Sequence, residues 1–295
     1  MKLNCTNTLI VPFENLIKDK SWVYVGDRAR LSTITSVVFL SPNVFVCSHF
    51  NDCSMHLVHF DLNNQTYQVI CSIDTTYAGQ KCETDLLATD GSNNIIATNF
   101  NQNTCSLYKY AHDKIMHVRD LPYDAGNRVH GLRFMDELTV AVTCRLNHSG
   151  VHFFDINTCK QIALYKTPEA SIQDLCLLPG DIFAMISGDG TPMLRPKQIY
   201  SSRLSLIRYD LKQKEFNRTT QRDFTTSHFD NIIHFNNILY ITDQYNNRIV
   251  RVNAQTLQNV GDLTGYNFPH GIDVKYGMIA VTNYGNNTIT IELID

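Results

Sequence analysis

The sequence repeats itself. Between Thr35 and the last residue, the chain of 295 residues carries six versions of one phrase. Each has a β-rich run, a turn built on Gly, Pro, Asn or Asp, a second apolar run ending in a polar residue, another turn, and a third β-rich run. The clearest copies are FDNIIHFNNILYITDQYNNRIVRV from Phe229 and FPHGIDVKYGMIAVTNYGNNTITI from Phe268. Asp230 precedes Thr242 by 12 residues, and His270 precedes Thr282 by the same 12. Weaker copies start near Thr35, Thr84, His130 and Gln173. Five steps from Thr35 to His270 give a period of about 47 residues, and connecting text such as Lys160–Tyr165 supplies a fourth strand. Four short strands per unit at this period define the blade of a β-propeller, so the fold class is all-β: six antiparallel four-stranded blades in a ring. No amphipathic helical pattern of useful length interrupts the repeats, which excludes a βαβ arrangement.

A ring needs closing. The last copy ends after its third strand, and Ser21–Gly26 (SWVYVG) lies just before the first copy. We expect this segment, about 21–26, to complete the last blade and leave no unpaired edge. Residues 1–20 are then an extension and 21–295 one propeller domain.

Composition narrows the function. The chain is 43% apolar and 18% charged, enough to build a large core and too apolar for disorder. Lys plus Arg number 25 and Asp plus Glu 28, so no basic field exists for nucleic acid or anionic lipid. No apolar run is long enough to span a membrane. The nine cysteines are odd in number and include no C-x-x-C pair, which argues against a zinc knuckle or redox motif. They read as reduced thiols packed as small hydrophobes, as in a cytoplasmic protein. Met1–Phe13 has no h-region, so no signal peptide is expected.

In a blade, the innermost strand starts at the face where the second strand ends. First-strand starts are Thr35, Thr84, His130, Gln173, Asp230 and His270. Second-strand ends are His49, Asn99, Cys144–Arg145, Gly188–Asp189, Asp243 and Asn283. Together they predict a polar rim around one mouth of the channel. Imidazole beside carboxylate suits a general base with an orienting partner, and a mixed His/Asp/Asn mouth suits a divalent ion. The candidate catalytic residues are His270, His130, His49 and Asp230. The candidate substrate-binding residues are Asp243, Asn283, Asn99, Arg145, Gln173, Arg195 and Tyr200. Arg195 and Tyr200 lie with Lys197 in the long connection 189–202 of the fourth copy, which with Arg203 could cap the mouth over an anionic group. A structural role is also open: Asp243, Asn99 and Asn283 fit side chains that bond the following turn, and the His of an HG pair can satisfy neighbouring backbone. No phosphate loop, G-x-S-x-G or H-E-x-x-H occurs.

Tyr240–Val252 (YITDQYNNRIVRV) and Ile279–Ile291 (IAVTNYGNNTITI) resemble the NHL repeat and, more broadly, the six-bladed propellers of the SMP-30/gluconolactonase, paraoxonase and strictosidine-synthase group. The resemblance implies an enzyme acting on a small polar molecule at the channel mouth: a lactone or ester hydrolase, or a lyase or cyclase, using acid–base chemistry or one divalent ion such as calcium. Where gluconolactonases have a glutamate metal ligand, this chain has Thr35–Ser36, so a different ligand set or a metal-free site is required. The alternative is a non-catalytic NHL-like propeller that binds a protein or peptide across one face.

Overall fold

The protein was analysed as a computed structural model that describes residues 8–13, 34–100, 102–123, 129–144, 150–167, 169, 171–188 and 201–294. Six four-stranded antiparallel sheets follow one another along the chain. From the innermost strand outward, blade one is Ile34–Ser41, Val44–His49, Ser54–Asp61 and Thr66–Asp74. Blade two is Leu87–Thr89, Asn94–Asn99, Thr104–Ala111 and Lys114–Leu121. Blade three is Val129–Phe134, Thr139–Cys144, Gly150–Asp155 and Gln161–Lys166. Blade four is Ser171–Leu178, Ile182–Gly188, Ser201–Asp210 and Glu215–Thr225. Blade five is Phe229–Phe235, Ile238–Asp243, Arg248–Asn253 and Asn259–Thr264. Blade six is Pro269–Lys275, Met278–Asn283, Thr288–Leu293 and, from the other end of the chain, Thr8–Pro12.

Stacking blades face to face explains the sequence pattern. Second strands such as Val44–His49 and Thr139–Cys144 are covered on both faces, so every residue is buried and the text is mainly apolar without a polar alternation. Outer strands such as Glu215–Thr225 have mostly exposed residues and read as polar. Each of the six wedges between neighbouring blades holds its own apolar cluster, the wedge between blades six and one included.

The ring is closed by an N-terminal strand, but that strand is Thr8–Pro12. Segment 21–26, assigned this role from sequence, lies outside the described residues. Leu9 pairs with Ile291 and Val11 with Ile289, and all four side chains are buried in the wedge against blade one. The alternation of TLIVP selects this strand: Leu9 and Val11 face inward while Thr8, Ile10 and Pro12 face outward. Asn287 fastens both flanks. Its Oδ1 accepts the N–H of Ile34, and its Nδ2 donates to the carbonyl of Phe13. Residues 8–12, expected in an N-terminal extension, therefore belong to the ring.

Candidate functional site

The inner strands reach the axis through a recurring β-bulge. In blades three, five and six the pairing slips, so that two inner residues oppose one threonine: His130 and Gly131 opposite Thr143, Asp230 and Asn231 opposite Thr242, His270 and Gly271 opposite Thr282. The threonine hydroxyl accepts the N–H of the second bulge residue at 2.7 Å (Gly131), 2.8 Å (Asn231) and 2.7 Å (Gly271). Ser48 does the same for Ser36, and Thr98 for Leu86. A bulge re-aims the side chain it carries. Around the ring, the first bulge position is occupied by Thr35, Asp85, His130, Gln173, Asp230 and His270.

Four of these side chains converge. His130 Nε2 lies 3.2 Å from Asp85 Oδ2 and 3.7 Å from Asp230 Oδ1. His270 Nε2 lies 3.1 Å from Asp230 Oδ2 and 3.5 Å from Asp85 Oδ1. His228 Nε2 stands at 4.0 Å from Asp230 Oδ1. All are buried. The arrangement has an approximate two-fold axis: blades two, three and four contribute Asp, His and Gln, and blades five, six and one contribute Asp, His and Thr.

The other ring nitrogen of each histidine is committed. His130 Nδ1 is 2.6 Å from the Gln173 carbonyl, and His270 Nδ1 is 2.9 Å from the Thr35 carbonyl. A carbonyl only accepts, so both Nδ1 atoms carry the hydrogen and both Nε2 atoms face the carboxylates. The HG pair makes this contact possible. A Cβ on Gly131 would sit 2.7 Å from the Gln173 carbonyl oxygen and 2.5 Å from Asp174 Oδ1. On Gly271 it would sit 2.4 Å from the Thr35 carbonyl oxygen. Glycine lets the next blade approach closely enough to take the imidazole N–H.

Further along the axis, Arg133 crosses from blade three to blades four and five. Its Nη2 donates to Asp174 Oδ2 at 2.7 Å and to the Ile232 carbonyl at 2.9 Å. The same carboxylate oxygen accepts Asn231 Nδ2 at 2.5 Å and the N–H of Ile232 at 3.1 Å. Burial pushes the Asp174 carboxyl up to about 7, against the pull of the Arg133 guanidinium. With the guanidinium at 2.7 Å and two further N–H donors, the network holds the ionised form. Burial likewise raises Asp273, whose Oδ2 accepts the N–H of Phe39.

The second-strand ends are placed differently. Asn99 bonds Thr104 and Ser106 and accepts from the Cys82 thiol. Asn283 bonds Thr288 and Thr290 and accepts the N–H of Asn267. Asp243 accepts from the N–H of His228, from Asn246 and from Arg248. These side chains tie their own turns and third strands. His49 packs on His56 of the third strand at 5.7 Å between ring centres, and burial lowers it to about 4, with His56 adding to the effect. Gln173 is at the axial position, with its Nε2 bonded to Ser171 and its Oε1 without a hydrogen-bond partner among the described residues. Arg145, Arg195 and Tyr200 lie outside the described residues, as does Lys197. Arg203 pairs with Asp223 and Glu169 on blade four.

Sequence reading brought together His130, His270 and Asp230 but took Thr84 where the structure has Asp85. Spacing held the missing signal. Thr35 to Ser48 and His130 to Thr143 are both 13 residues, and 13 before Thr98 is Asp85. His228 was not singled out at all.

Among the described residues, two groups of side chains have metal-ligand proximity: Asp85, His130 and His270, and separately His49, Asp52 and His56. The second is occupied by its own hydrogen bonds. Ser54 donates to Asp52 at 3.0 Å, so its oxygen accepts from His56 Nε2 at 3.2 Å. His56 Nδ1 then accepts from Ser72 at 2.7 Å. Both His56 nitrogens are used. In the axial group both Nε2 atoms face the Asp85 and Asp230 carboxylates.

No family model matches the chain, and no curated protein matches it. Solved structures do: 1295 chains match, a breadth that points to a common architecture and not to one activity. One is Kuenenia stuttgartiensis hydrazine synthase, with a TM-score of 0.61 and 12% identity over 92% of this chain and 80% of that chain. At this identity the likeness shows the fold alone: the chain is a six-bladed β-propeller.

Proposed function

We propose that this propeller is a small-molecule enzyme whose reaction centre is the axial cluster of Asp85, His130, Asp230 and His270, and that it hydrolyses a polar bond of the lactone or ester class. One observation carries the reading. Two imidazoles and two carboxylates are buried at a single point, with N···O separations of 3.1–3.7 Å. Burying four such groups together opposes folding, because each loses its hydration. Two equivalent positions on the same axis are filled by uncharged Thr35 and Gln173, so the bulge does not require ionisable residues. A site that gathers them against that cost suits activation of water and stabilisation of a developing oxyanion. The reaction class follows the resemblance of blades five and six to lactonase-type propellers. His49, tilted against His56 and outside these contacts, is given no direct part in it.

The test is a panel of lactones and aryl esters followed by proton release, with wild type beside His130→Ala, His270→Ala and, as a control on half-exposed blade-one surface, His59→Ala. We expect each axial variant to lose about 100-fold or more and His59→Ala to keep wild-type turnover. Hydrolysis that survives in a folded His130→Ala/His270→Ala double variant refutes the assignment.

A further inference from the structure

Blade four departs from the other five at the end of its second strand. That position is His49, Asn99, Cys144, Asp243 or Asn283 elsewhere, and each of those residues is buried. In blade four it is Gly188, which pairs with Ser171 and stays partly exposed. We infer that the opening beside Gly188 is a substrate subsite, in which the Gln173 side-chain amide accepts a hydrogen bond from a hydroxyl or N–H group of the substrate and so sets specificity; this rests on the axial cluster being the reaction centre.

Consider the amide first. Gln173 is fully buried, and its Nε2 donates to Ser171 Oγ at 3.2 Å. Its Oε1 has no hydrogen-bond partner among the described residues. Buried polar atoms are nearly always paired, so an unused acceptor beside an opening marks the place of a missing donor. Thr35, the other uncharged residue at the axis, is different. Its hydroxyl bonds the Thr84 carbonyl and Ser48 Oγ, both at 3.0 Å. The approximate two-fold repetition of Asp–His is therefore broken by the Thr35 and Gln173 pair. A substrate held at Gln173 meets the cluster in one orientation.

The surroundings agree. A carbon placed as the Cβ of Gly188 would lie 3.6 Å from the Ser201 carbonyl oxygen and 3.9 Å from both Gln173 Nε2 and Ser202 Oγ. These are ordinary contact distances, so the space takes a ligand atom without moving its walls, and all three neighbouring atoms are polar. Ser187, the preceding residue, adds to the difference. In the other five blades the hydroxyl at its position caps the bulge. Ser187 Oγ is buried and makes no hydrogen bond among the described residues. The subsite also adjoins the chemistry. The Gln173 carbonyl accepts the His130 imidazole N–H at 2.6 Å, so the residue that orients one imidazole also reads the substrate. A site built to bond a substrate hydroxyl or N–H rejects the analogue lacking it, because its own polar group is then left unpaired.

The experiment uses the full chain and a pair of probes, α-hydroxy-γ-butyrolactone and γ-butyrolactone, which differ by one hydroxyl. We expect wild type to favour the hydroxylated probe in kcat/KM by at least about 10-fold. Gln173→Leu removes the acceptor and should abolish that preference. Gln173→Glu keeps an acceptor, loses the amide donor and should retain it. Gly188→Leu fills the opening and should abolish the preference with Gln173 intact, whereas Gly188→Ala, at ordinary contact distance, should lower it less. A merely structural Gln173 would slow both probes alike. An unchanged ratio in folded Gln173→Leu or Gly188→Leu, or no preference in wild type, therefore overturns the subsite and leaves the hydrolase reading standing. If neither probe nor any ester turns over, the hydrolase reading falls instead. The two probes are then compared as ligands by saturation-transfer NMR, and an affinity ratio that Gln173→Leu does not change overturns the subsite as well.

Discussion

Gly271→Ala separates steric contact from backbone conformation. The new methyl carbon would sit 2.4 Å from the Thr35 carbonyl oxygen, 2.7 Å from Ser36 Cα and 3.2 Å from Thr282 Oγ1. Two of these atoms are backbone of blade one, so relief means moving that inner strand outward by about 1 Å to ordinary contact. Forcing a methyl into such packing costs about 1–3 kcal/mol. The shift also stretches two bonds to the Thr35 carbonyl, from His270 Nδ1 at 2.9 Å and Thr282 Oγ1 at 3.1 Å, each worth about 1 kcal/mol. The expected loss is about 3–5 kcal/mol. Gly180→Ala is the control: its φ is +81° and nothing lies within 4 Å of the added carbon, so only the left-handed backbone matters, at about 1–2 kcal/mol. Urea unfolding with a common m-value measures both. If Gly271→Ala costs no more than Gly180→Ala, blades six and one do not approach as closely as described, and the explanation of the HG pair fails.

Two further outcomes follow from buried charge. Arg133→Ala strands the Asp174 carboxylate and should cost about 3–5 kcal/mol, with Asp174→Asn in the same background restoring part of it; equal loss in the single and double variants, read by urea unfolding, would show that the pair is not coupled. His49 takes its proton near 4 when folded and near 6.5 when unfolded. Its contribution is therefore whole above about pH 6.5 and lost as the pH falls to 4, amounting to about 3 kcal/mol. The stability advantage of wild type over His49→Gln should shrink by that amount between pH 7.5 and 4, and parallel curves would contradict it.

Blade count and blade order were legible because they depend on period. Apolar alternation and turn residues mark each strand locally, and doubly buried second strands such as VFVCSH and TVAVTC announce themselves by apolar cores, VFVC and VAV, next to the polar residues that cap the bulge. The site was half legible. His130, His270 and Asp230 precede the bulge-capping threonine at nearly constant spacing, but Asp85 follows a threonine that mimics a strand start. Sequence also cannot display a bulge, and the bulge decides which side chain turns to the axis. Without it, the strand-end residues His49, Asn99, Asp243 and Asn283 look equivalent to the strand starts. With it, their described contacts run to turns and third strands. The closing strand was misplaced because SWVYVG and TLIVP are both β-rich, and only pairing with Ile289 and Ile291 distinguishes them.

Thr8–Pro12 is translated long before its partner Thr288–Glu292. On the ribosome, the first of these segments waits without its mate while five whole blades emerge. Such a distant pairing carries a large loop-closure entropy, which disfavours its forming early. Until it happens, Leu9, Val11, Ile289 and Ile291 stay accessible to chaperones or to a neighbouring nascent chain.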